Sequence, residues 1–175
     1  MKCPYTTAKR MITYIRNVLS VPSDDYGGLP PCPFAKPELD ARRLMLSELN
    51  PNSNHNLVDI IHEFIDSDFK SLLVAQRFDE GQSLNSKDTK QYQRFINDLL
   101  NEMGLVEYKC ICFNLNDNAP VRKQAPYFLI NIAESAVLAR AHNKMMKTDY
   151  FSRMSDEYLK FLHVDPKKVT RKVGS

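Results

Sequence analysis

Ser71-Leu72-Leu73-Val74-Ala75 is the stretch on which the fold turns. It is a short, unbroken apolar run, preceded by Lys70 and followed by Gln76. Too brief for a helix of ordinary length, it reads as a central strand buried on both faces. Such a strand needs helices to cover it, and the chain on either side supplies them.

Upstream, residues 56–65 place Leu57, Ile60, Ile61, Phe64 and Ile65 on one helical face, with Asn56 as the capping residue. Before that helix come an Asn-rich turn at 51–55 and, within 42–48, a short strand centred on Leu44, Met45 and Leu46, with a helical turn as the alternative. At the start of the chain, residues 6–19 form an amphipathic helix that Thr6 or Thr7 can cap and Val21-Pro22 ends.

Downstream, a polar loop at 79–85 leads to a helix over 87–103, capped by Ser86 and closed by Gly104. Its apolar stripe is Tyr92, Phe95, Ile96, Leu99, Leu100 and Met103. Residues 105–113 alternate as a strand, with Val106, Tyr108, Cys110 and Cys112 on one side and Glu107, Lys109, Ile111 and Phe113 on the other. After a polar loop at 114–124 come a strand at 127–133 and a helix at 134–146. Ser155, followed by Asp156 and Glu157, opens the last helix.

The order αβαβαββαα describes an α+β fold: a small mixed sheet of about four strands with helices packed on it. Strands joined through helices run parallel, and the last two, joined by a loop, run antiparallel. Leu72, Val74, Ile111, Leu129 and Ile132 are the expected sheet core. Residues 1–166 form one domain, and 167–175 form a basic tail that frays.

Composition narrows the setting. No apolar run approaches the ~20 residues of a membrane-spanning helix. The start of the chain carries no apolar core of the signal-peptide kind, which points to the cytoplasm and to reduced cysteines. The cysteines at 3, 32, 110 and 112 have neither CxxC nor zinc-ribbon spacing, so neither a metal nor another cofactor is expected. Cys110 and Cys112 are core residues, and His55 and His62 are exposed helix residues without the HExxH spacing of a zinc site. The net charge of +3 is uneven: from Arg140 onward nine Lys/Arg face four Asp/Glu, while the rest of the chain is near neutral.

The loop at 22–37 holds five prolines and an apolar centre, Leu29-Pro30-Pro31-Cys32-Pro33-Phe34. A loop of that length inside a domain is often functional, and this composition predicts that it is ordered with Phe34 buried. Two readings stand for Cys32. A thiol on a stiff loop, ten residues before Arg42 and Arg43, can be held as a nucleophilic thiolate. Equally, Cys32 and Phe34 can plug the loop onto the core.

Pro31-Cys32-Pro33-Phe34-Ala35-Lys36 with Arg42 or Arg43, then Leu72-Leu73-Val74, residues 95–105, and Ala125-Pro126-Tyr127 follow one another in a familiar order. Over residues 8–146 the chain resembles a bacterial family of unknown function. That family is marked by a Leu-Asn-Leu-Cys-Pro-Phe-Ala loop and a later Arg-Ser-Pro-Tyr-Pro segment. Asn114, Asn131 and Glu134 stand where the family carries His, His and Arg. The resemblance implies a fold and a pocket, with no known reaction.

Two functional readings follow. In the first, Cys32, Arg42, Arg43, Tyr127, Asn131 and Glu134 form the pocket of an enzyme or a binder of an anionic small molecule, the arginines holding the anion. In the second, the chain is a non-catalytic interaction domain that docks protein or nucleic acid through its basic C-terminal helix and tail. The aromatic residues Tyr150, Phe151, Tyr158 and Phe161 would then serve as stacking faces.

Overall fold

Strand β2 (Ser71–Gln76) is buried from Ser71 to Ala75, as its unbroken apolar run requires. The structure, a computed structural model, describes residues 4–50, 54–77, 84–114 and 126–171. Around β2 stand β1 (Leu44–Leu49), β3 (Tyr108–Phe113) and β4 (Phe128–Glu134), in the spatial order β1-β2-β4-β3. β1 and β2 are parallel across α3 (Leu57–Ile65), while β4 lies antiparallel between β2 and β3. The expected mixed α+β sheet of four strands is thus present, and all five expected sheet-core residues are buried.

The sheet is covered on both faces. Leu72, Val74, Cys110, Cys112, Ile130 and Ile132 point to one side, where they meet Ile60, Ile61 and Phe64 of α3 and Ile96 and Leu100 of α4 (Ser86–Glu102). Leu73, Ala75 and Leu129 point to the other and meet Met11 and Tyr14 of α1 (Pro4–Tyr14) together with Ile15. A third cluster gathers Met145 of α5 (Ser135–Met145), Tyr150, Phe151, Leu159 of α6 (Asp156–Phe161) and Val164.

The proline-rich loop is folded onto this third cluster. It contains a 3-10 turn (Asp24–Tyr26), and its last residues form α2 (Ala35–Asp40). The Tyr150 hydroxyl donates to the Pro31 carbonyl, and the Tyr26 and Tyr150 rings lie 5.3 Å apart. Gly27, at φ 65°, passes so near Asp149 that an added Cβ would lie 3.0 Å from the Asp149 Cβ. Phe34 packs on the same cluster but is half-buried, less than the sequence suggests, because it sits on the wall of a cavity described below.

Other departures have local causes. α1 starts at Pro4, so Thr6 and Thr7 lie inside the helix, and a π-helical turn (Ile15–Leu19) extends it. The cap of α4 is Asn85, whose side chain accepts from the Asp88 amide, rather than Ser86. β3 starts at Tyr108 because Gly104 (φ 76°) and Leu105 close α4, the Leu105 amide donating to Leu100 over 2.8 Å. Phe95 is 58% exposed. The inward face of α4 is turned by Gln93 and Asn97, which bind the outer edge of β3. The basic tail begins with a 3-10 turn (Pro166–Lys168) capped by Asp165. Cys3, Ala125, most of the loop expected at 79–85 and all but Asn114 of that expected at 114–124 lie outside the described residues.

Candidate functional site

The second and third apolar clusters do not close on one another. Between them lies a cavity of about 570 Å³ whose floor is the sheet face carrying Leu73, Ile111, Leu129 and Asn131. Ile15 and Leu19 of the π-helical turn form one wall, the 31–35 segment another, and Leu138, Ala141 and His142 of α5 a third. Tyr150, Phe151 and Leu162 line it from the third cluster. The volume falls within the range of small-molecule sites.

Each wall is held for a visible reason. The Ser20 hydroxyl donates to the Ile15 carbonyl over 2.6 Å, while the Leu19 carbonyl accepts the Cys32 amide at 2.9 Å. That bond fixes the Cys32 loop over the π-helical turn. α5 follows β4 directly, so Val137, Leu138 and Ala141 lie along the cavity.

Four of the six expected site residues reach this cavity: Cys32, Arg43, Asn131 and Glu134. Arg42 does not. It occupies the left-handed region (φ 56°) in the turn between α2 and β1, and is exposed. Tyr127 packs at the edge of the second cluster and is not part of the lining.

The electrostatics do not favour a thiolate. Burial pushes the Cys32 thiol up, and the backbone amides of Ala35 and Phe34 only partly oppose it. The cation expected beside it is engaged elsewhere: Arg43 binds both carboxylate oxygens of Glu38, at 2.9 and 2.8 Å. His142 also lines the cavity, and burial, aided by the charge of His163, lowers its pKa to about 4. It is therefore neutral at pH 7. The acidities of Cys32 and His142 are set by different neighbours, so the two do not form an activated thiol-imidazole pair.

Asn131 is the polar group on the floor. Its register partners are Leu73 on β2 and Ile111 on β3, both apolar, and its side chain makes no hydrogen bond to any described residue. At the rim stand Lys70, Arg140 and Lys144, exposed and without an ion pair among the described residues. Lys70 and Arg140 were not singled out by periodicity or spacing. A polar residue at the centre of an otherwise apolar strand is the signal that marks this face.

Among the described residues, no group of three or more His, Cys, Asp or Glu is placed to hold a metal ion. The three described cysteines are free, with the Cys110 and Cys112 sulfurs 3.8 Å apart in the core. No described helix is long and apolar enough to cross a membrane. Set against family models, curated proteins and solved structures, the chain matches none.

Proposed function

We propose that the protein is a cytoplasmic binder of a small amphipathic anion, whose apolar body occupies the cavity and whose charged head meets the lysines and arginine at the rim. The carrying observation is Asn131, an amide set between Leu73 and Ile111 on the cavity floor with no hydrogen-bond partner among the described residues. Its half-exposed amide faces the cavity, where its apolar neighbours offer no hydrogen bond and a ligand of mixed character can supply one. Aromatic and aliphatic walls supply area for the body, and Lys70, Arg140 and Lys144 supply charge at the entrance. Binding is favoured over catalysis because the thiol is raised and the imidazole lowered, with no pairing between them. This reading keeps the pocket implied by the family resemblance and gives Cys32 the part of a wall.

The chain contains no Trp, so one introduced at the cavity both fills it and reports on it. Decanoate and decanol should be titrated calorimetrically against the wild type and Val137→Trp. We expect saturable binding of decanoate to the wild type, about tenfold tighter than decanol, from a charge-assisted contact. Val137→Trp should abolish it, and Cys32→Ser should leave it intact. Equal affinity for acid and alcohol, or no saturation with either, would defeat the proposal.

A further inference from the structure

A second concavity, of about 460 Å³, lies where α4 covers the outer edge of β3 and α6 closes over both. Its polar groups fall into two sets. Gln93, Asn97 and His163 are committed to the fold: Gln93 and Asn97 satisfy the amides of Cys112 and Cys110 at 2.8 and 3.0 Å, Gln93 also donates to the Phe161 carbonyl at 2.9 Å, and the His163 Nε2 lies 3.0 Å from the Cys110 carbonyl oxygen. Arg94, Lys109 and Lys160 are not committed, since none has an ion pair or hydrogen bond among the described residues. The remaining lysine, Lys90, is bound by Glu157, which leaves Asp98 as the one lining carboxylate without such a partner among them.

Three like charges in one concavity repel, and an anion placed among them relieves that repulsion. The wall beside them is aromatic: Phe161 lines the groove and stacks on Tyr158, ring centres 5.9 Å apart and planes 21° from parallel. We infer that this groove binds a mononucleotide. The phosphate meets Arg94, Lys109 and Lys160, the base lies on Phe161, and Asp98 accepts from sugar hydroxyls. A small molecule fits better than a nucleic-acid strand. The concavity has the volume of a small-ligand site, and Asp98 and Glu157 within it would repel a polyanion running through. The inference stands independently of the cavity on the other sheet face.

Adenosine 5′-monophosphate, adenosine, inorganic phosphate and a uridine oligonucleotide should be titrated calorimetrically at low salt. The monophosphate should bind more tightly than adenosine or phosphate alone. Arg94→Glu and Lys160→Glu, both at exposed positions, should each weaken it by about tenfold or more, with the melting temperature as the check on folding. Should either variant unfold, Lys160→Ala serves in its place, with the same direction of effect. Val137→Trp should bind the nucleotide as the wild type does. The inference is overturned if adenosine binds as well as its monophosphate or if charge reversal changes nothing. It is equally overturned if the oligonucleotide binds and the monophosphate does not.

Discussion

His142 shows how a single side chain ties the cavity to pH. Its ring is packed edge-on to Phe151, with centres 5.8 Å apart, and its pKa is lowered to about 4 by burial and by His163. In the unfolded chain an imidazole titrates near ~6.5, so between pH 6.5 and 4 the unfolded state binds the extra proton. Stability is therefore full above pH 6.5 and falls as pH drops toward 4. Solvent reaching part of the ring screens the effect, leaving about 2 kcal/mol. Melting temperatures taken from pH 7.5 to 4 should decline for the wild type, and His142→Phe should flatten that decline. At this scale, of the residues expected at the site, Cys32, Arg43, Asn131 and Glu134 line the cavity. Arg42 was not separable from them, because a left-handed backbone at a non-glycine residue leaves no mark in the sequence; Tyr127, beside the start of β4, packs on the second cluster instead. His163 repeats the point: at φ 61° it ends α6 as Gly104 ends α4, with the Val164 amide donating to Leu159.

Elements with one period and one buried face were legible. α3 was read with its cap, down to the Asn56 side chain receiving the Val58 and Asp59 amides. In α4 five of the six expected stripe residues pack on the core and only Phe95 is exposed, because the inward surface also carries Gln93 and Asn97, and an apolar stripe cannot register buried amides. Those two side chains close the outer edge of β3, a position where an unpaired strand would recruit another chain. Asn97→Leu removes an acceptor from the buried Cys110 amide and a donor from its carbonyl. It should cost about 1–3 kcal/mol. It should also raise the fraction of dimer and larger species in size-exclusion chromatography. A monomeric Asn97→Leu protein melting at the wild-type temperature would show that the edge needs no such cover.

Across the whole molecule, the sheet was legible because strand runs are short and continuous, whereas the extent of the cavity and the walls that enclose it were not, because a void belongs to no residue. It arises where α1, the proline-rich loop and the third cluster meet the sheet without filling the space between them. Phe34 bridges this boundary, half-buried, so Phe34→Ala should cost about 1.5–2 kcal/mol, less than a fully buried ring. Thermal unfolding should show a loss of roughly 5 °C, and an unchanged melting temperature would mean that the loop contributes nothing to docking. The strand order has a consequence of its own. β4, the last of the described strands, lies between β2 and β3 and pairs with both. A nascent chain that has emerged only through Phe113 can therefore join β1 to β2 and nothing more, with β3 stranded and both inner edges open. Sheet assembly waits for residues 128–134 to leave the ribosome and insert between β2 and β3. Such long-range closure works against fast folding and leaves the edges of β2 and β3 unpaired until that strand arrives.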